Sequence, residues 1–214
     1  MAGLKEIRTR IESVKSTRQI TSAMKMVSAA KLRRAQDAII QISPYADKLS
    51  EILSHLSSGV NIEGENVYAQ KRELKHVLLV AITSNRGLCG SFNSHVVKKV
   101  IQLAEEEYKD LLAEGRVKII AIGKKATELL KSKNYEVIDD YSYIFDKLTF
   151  PEIIPLAETI MQCFLDERYD RIDIVYNHFK NAAVQHLTHE QFLPVKPEEI
   201  QKSEESEEAK SFKS

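Results

Sequence analysis

Between Leu4 and Ser58 the chain has no glycine and a single proline, Pro44. Apolar residues recur there in steps of three and four: Leu4, Ile7, Ile11, Val14, then Met24, Val27, Ala35, Ile39, Ile42, Leu49, Ile52, Leu53 and Leu56. This spacing predicts a helical stripe close to a heptad seam. Fifty-odd residues at about 1.5 Å each make a rod roughly 80 Å long, too long to pack along its length on a domain built from the rest. Pro44 removes one backbone donor and crowds the preceding turn. The apolar spacing stays in phase beyond it, so the expectation is one continuous helix with a bend.

Polar and turn-forming residues then fill 58–73, and the period changes. His76–Ile82 is a short continuous apolar run, the mark of a buried strand. Asn93–Ala113 reads as a helix, Val117–Ile122 as a second buried strand closed by Gly123, Lys124–Lys133 as a short helix and Tyr135–Ile138 as a strand. Pro151 opens another helix, at a first-turn position where its missing donor costs nothing, running to about Glu167. Arg171–Phe179 and Ala183–Leu193 read as two further strands. Alternation of this kind predicts an α/β domain with a mostly parallel sheet and helices on both faces. The chain thus divides into a helix (1–57), a linker (58–73), an α/β domain (74–195) and an acidic polar tail (196–214) expected to be disordered.

The formal net charge is zero, with 31 basic and 31 acidic residues, but the distribution is uneven. Residues 1–36 hold nine basic side chains against two acidic, while 198–214 hold six glutamates against three lysines. A basic arm implies an acidic partner. It has no aromatic residue before Tyr45 to stack on bases, and its stripe is too narrow and too rich in alanine and serine for a membrane surface. A coiled-coil strand whose polar face meets acidic protein surfaces fits better. No stretch approaches 18 uninterrupted apolar residues, and Met1–Glu6 carries no apolar signal-peptide core. The two cysteines, Cys89 and Cys163, exclude a disulfide framework and a four-thiolate zinc site, and suit a reducing compartment.

The sharpest local signal is Ser84-Asn85-Arg86-Gly87-Leu88-Cys89-Gly90-Ser91-Phe92-Asn93, directly after the first strand. A glycine-bearing loop between strand and helix can cradle phosphate on free amides. This one offers only Gly-x-x-Gly, and no acidic residue ends the second strand to hold a ribose. Local chemistry therefore leaves two readings open, a nucleotide seat and a tight structural turn. Cys89 lacks an obvious base and reads as a small residue packed in the turn. His186 and His189, three apart in a strand, show no third ligand. Asp139-Asp140 and Glu105-Glu106-Glu107 read as solvated faces. No persuasive active site assembles.

Three segments, in order, carry a resemblance. Lys5-Glu6-Ile7-Arg8-Thr9-Arg10-Ile11 with Thr17-Arg18-Gln19-Ile20-Thr21-Ser22-Ala23-Met24-Lys25-Met26-Val27-Ser28-Ala29-Ala30-Lys31-Leu32-Arg33-Arg34-Ala35-Gln36 resembles the opening helix of the gamma subunit of F-type ATP synthases. Ser84–Asn93 is similar to that family's Ser-Asp-Arg-Gly-Leu-Cys-Gly-Gly-Phe-Asn signature, with Asn85 for Asp and Ser91 for Gly. Tyr176-Asn177-His178-Phe179 through Gln185, and Gln191-Phe192-Leu193-Pro194, fit its later strands. The match spans about residues 1–195.

The resemblance implies a long N-terminal coiled-coil helix beside a Rossmann-like domain, forming the central stalk of a rotary motor. It implies as partners the ring of alpha and beta subunits, the epsilon subunit and the c-ring of the membrane sector, with proton flow turning the shaft to drive ATP synthesis or hydrolysis. The complex is then peripheral to the cytoplasmic face of a bacterial inner membrane. The resemblance implies no catalytic residues, cofactor, metal, nucleic acid or direct small-molecule substrate for this subunit. It places a rotor–stator interface at Arg8, Met24, Lys25, Lys31, Arg33 and Arg34 on the helix and at Arg86, Gly87 and Cys89 in the loop, with Cys89 a packing residue beside the contact. In the family the chain continues into a long C-terminal helix that pairs with the first. This sequence stops at Ser214, so the expectation is a fragment or a natural truncation with the stripe of 4–56 exposed. The alternative from local chemistry alone is a nucleotide-binding α/β enzyme with a coiled-coil oligomerisation arm.

Overall fold

The computed structural model describes residues 3–59, 67–181 and 184–195 and resolves into two units that meet at Ser58/Gly59. The tail at 196–214 and most of the linker's first half lie outside the described residues.

The first unit is a single helix, α1 (Leu4–Gly59). Gly3 starts it, its carbonyl accepting the amides of Glu6 at 2.8 Å and Ile7 at 3.2 Å, and Glu6 sits in the first turn, where the helix dipole favours an acid. Three threonines return hydroxyl bonds to carbonyls four residues back, as in Thr9 to Lys5, Thr17 to Ser13 and Thr21 to Thr17. The helix runs through Pro44 without a break. Ser43 Oγ bonds the Ile39 carbonyl at 2.9 Å in the turn the proline disturbs. Much of the described part of the apolar stripe is exposed: Leu4, Ile11, Val14 and Met24 each expose at least 60% of their surface.

The second unit is the α/β domain. Its five strands are β1 (Val77–Ile82), β2 (Val117–Ile122), β3 (Val137–Asp140), β4 (Arg171–Phe179) and β5 (Gln185–Leu193), ordered β3-β2-β1-β4-β5. The first four are parallel, and β5 pairs antiparallel with β4 at one edge. One face carries α2 (Phe92–Gln102), α3 (Lys109–Ala113) and α4 (Lys124–Ser132), packed on Val77, Leu79, Ala81, Val117, Ile119 and Val175. The other carries α5 (Phe150–Leu165), with Leu156, Ile160 and Phe164 against Leu78, Val80, Ile120 and Ile172. Burial on both faces explains why β1 and β2 read as unbroken apolar runs.

Several elements differ from the expectation: β5 starts two residues after Ala183, α5 ends two residues before Glu167, and three further differences bear on the packing. The single helix expected at Asn93–Ala113 is interrupted by a π-turn at Leu103–Glu107, closed by the Tyr108 amide on the Leu103 carbonyl at 3.0 Å. The extra residue turns Tyr108 inward. β3 starts two residues later than expected, beyond Glu136, whose carboxylate is held by Lys118 Nζ at 2.7 Å. Finally, the linker's second half packs on the domain: the Arg72 guanidinium donates to the Phe164 carbonyl at 2.8 Å and lies over the Phe164 ring.

Beneath Tyr108 lies Asp173 on β4, a fully buried carboxylate. It accepts the Tyr108 hydroxyl, and it accepts Arg171 Nε at 3.0 Å. Arg171 also reaches Glu107 at 3.1 Å, so the π-turn and the strand share one charge cluster. The burial of a carboxylate is tolerable only with such partners. Burial first, and then the bond to Asp173, hold the Tyr108 phenol far above its ordinary pKa.

Candidate functional site

The loop joining β1 to α2 is organised by one side chain. Asn93, nearly buried at 6% exposure, accepts the Ser84 amide at 2.9 Å on Oδ1. Its Nδ2 donates to the Arg86 carbonyl at 3.2 Å and to Cys89 Sγ at 3.2 Å. Ser84 Oγ adds a second bond to the Arg86 carbonyl at 2.6 Å. The loop is therefore pinned from inside, and Arg86, Gly87, Leu88, Cys89 and Gly90 are all pushed outward and exposed. Cys89 is corrected accordingly: it is an exposed residue held by its sulfur, not a packed one, because Asn93 occupies the interior of the turn.

Leu88 is the unusual member. Its φ of 62° places it in the left-handed region, and its side chain is fully exposed. A leucine there gains neither backbone comfort nor burial. No local sequence pattern distinguishes a projecting leucine from a packed one, so only the fold singles out Leu88.

The same loop also holds the start of α4. The first three amides of α4 are all taken: Lys124 by Asn85 Oδ1 at 3.0 Å, Lys125 by the Ser84 carbonyl at 3.3 Å and Ala126 by Thr83 Oγ1 at 2.9 Å. Gly123 lies so close that an added Cβ would stand 2.3 Å from the Thr83 carbonyl oxygen. Oxygens of Thr83, Ser84 and Asn85 thus tie this stretch to the start of α4. Asn85 also donates through Nδ2 to the Ser142 carbonyl at 2.9 Å, a bond that an aspartate in its place could not make.

On α1, Arg8, Met24, Lys25, Lys31, Arg33 and Arg34 are all exposed. At 3.6 residues per turn, Met24 and Lys31 share a face, Arg33 lies on roughly the opposite one, and Lys25 and Arg34 fall between. The basic residues thus ring the helix instead of forming one patch. Among the described residues, Lys25, Lys31, Arg33 and Arg34 form no ion pair, whereas Arg10 binds Glu6 at 2.7 Å. α1 and the loop belong to separate units.

The other candidates fall apart as sites. His186 and His189 point to opposite faces of β5, and His189 approaches Asp173 at 3.3 Å. Asp140 is a structural cap: burial raises its pKa, but bonds from Thr127 and Ser142 and the charge of Lys131 bring it below the ordinary value. Glu105 receives the Tyr135 hydroxyl, whose pKa is pushed up to about 12 by burial and that bond. No group of three or more metal-ligating side chains occurs among the described residues. No described helix is long and apolar enough to cross a membrane.

Comparison with known proteins agrees with this geometry. A family model described as ATP synthase matches residues 3–214. The ATP synthase gamma chain of Flavobacterium psychrophilum is 52% identical over 197 residues, covering 92% of this chain and 67% of the relative. That of Christiangramia forsetii is 50% identical over 195 residues, covering 91% and 66%. The chain therefore spans about two thirds of the length of these curated relatives. Among solved structures, the central stalk and c-ring of Tetrahymena thermophila mitochondrial ATP synthase contains a chain 26% identical, with a TM-score of 0.50, covering 82% of this chain and 72% of its own. The chain belongs to the ATP synthase gamma-chain family.

Proposed function

We propose that the chain is the central-stalk rotor subunit of an F-type ATP synthase. In that role it couples proton flow through the membrane sector to ATP synthesis or hydrolysis in the alpha–beta ring. Its partners are the alpha and beta subunits, the epsilon subunit and the c-ring, and the complex sits on the cytoplasmic face of a bacterial inner membrane. The subunit carries no catalytic residue of its own.

The observation that carries this reading is a 56-residue helix whose described apolar residues are exposed and whose Lys25, Lys31, Arg33 and Arg34 form no ion pair among the described residues. A shaft must bear torque along its length, which a glycine-free helix does once its stripe is covered. Cations ringing the helix present positive charge at every rotational angle, so one acidic element on each stator subunit can meet them in turn. The outward Arg86–Cys89 loop supports a second rotor–stator contact. Leu88 sits at the tip of that contact as an apolar knob.

Replacing Leu88 and Arg86 by alanine separates contact from stability. Neither side chain is buried, so the thermal stability of the domain should change by less than about 0.5 kcal/mol. ATP-driven proton pumping by the reconstituted complex should fall severalfold while the complex remains assembled. Unchanged pumping would remove the loop from the interface.

A further inference from the structure

The histidines that the sequence pairs by spacing are not the ones the fold pairs. In the β4–β5 register His178 stands directly opposite His186. Directly opposed residues of an antiparallel pair project from the same face with Cβ atoms about 4.5–5.5 Å apart, within the span that two imidazoles need to share one ion at about 2.0–2.1 Å from each nitrogen. Both side chains are exposed, so bringing their nitrogens together takes only a rotamer change on the picosecond-to-nanosecond scale. Tyr176 flanks the pair, with its ring edge-on to His178 at 6.4 Å, and its hydroxyl is committed to Glu190.

The place matters as much as the pair. β1 pairs with β4 only as far as Val175, so Tyr176–Phe179 and Gln185–Thr188 form a two-stranded extension beyond the sheet. Two strands alone are marginal in water. A ligand bridging them closes the part of the hairpin that no third strand supports.

We propose that His178 and His186 form a two-histidine site for a divalent transition-metal ion, which clips the projecting end of the β4–β5 hairpin. Two imidazoles with the remaining positions open to water suit copper, nickel or zinc over magnesium or calcium. The site is independent of the rotor role.

Nickel chloride titrated into the full chain should raise its thermal midpoint, since an ion that binds only the folded state stabilises it. His178→Ala and His186→Ala should each weaken the nickel affinity at least tenfold. His189→Ala, on the opposite face, and Cys89→Ser, which removes an exposed thiol, should retain it. With copper, electron paramagnetic resonance should show two equivalent nitrogen ligands. The absence of a nickel-induced shift, a shift surviving in both variants, or a copper signal from fewer than two nitrogens would overturn the site.

Discussion

Asp173 shows how a single side chain constrains its surroundings. A carboxylate with no exposed surface has to be matched by donors, and the π-turn at Leu103–Glu107 brings Tyr108 into position to supply one. Tyr108→Phe strips that donor from a buried acceptor and should destabilise the domain by about 1–3 kcal/mol. The same substitution alters the alkaline limb of the pH–stability curve. Burial and the bond to Asp173 raise the folded-state pKa of Tyr108 above the unfolded value of 10.0. The contribution is therefore complete below about pH 10 and is lost as pH rises past it, by about 1.4 kcal/mol per pH unit for one group. Thermal midpoints at pH 9, 10 and 11 should fall more steeply for the unaltered chain than for Tyr108→Phe. Parallel slopes would mean that Tyr108 is not the group responsible. Nothing in the sequence announces this cluster: Asp173 alternates with Ile172 and Ile174 as a solvated strand residue would. Its partner lies 65 positions earlier in the chain, and only the tertiary fold brings them together.

At the scale of elements, hydrophobic periodicity carries most of the information. The apolar runs of β1 and β2 are strands because both sheet faces are covered. Arg171–Phe179 is strand β4 along the whole stretch its pattern marks. The pattern does not register the π-turn at Leu103–Glu107, which the Tyr108 amide closes on the Leu103 carbonyl. The loop shows the same division. Glycines mark its turn, but the roles of Asn93 as its organiser and of Thr83, Ser84 and Asn85 as acceptors for the first amides of α4 depend on partners that sequence spacing does not encode. For α1 the legible feature is continuity through Pro44, against that residue's local preference. A proline inside a helix costs up to about 3 kcal/mol. Pro44→Ala should thus raise the midpoint of the helical transition followed by ellipticity at 222 nm, while leaving that of the α/β domain unchanged because the two are separate units. A lowered midpoint would show that the proline-adapted geometry is itself required.

At the scale of the whole molecule, the long helix presents exposed apolar residues and exposed cations, while the α/β domain keeps its core to itself. That division suits a part that works by being gripped and turned. The central claim is tested most directly by co-expressing the chain with alpha and beta subunits of a close bacterial relative, purifying the assembly by size exclusion and counting copies by native mass spectrometry. The rotor reading predicts one copy of this chain per ring. It also predicts that replacing Lys25, Lys31, Arg33 and Arg34 together by glutamine weakens the association, most visibly at low ionic strength, where charge contacts are least screened. If the relative's own gamma chain assembles with the ring under the same conditions and this chain does not, the rotor assignment is contradicted.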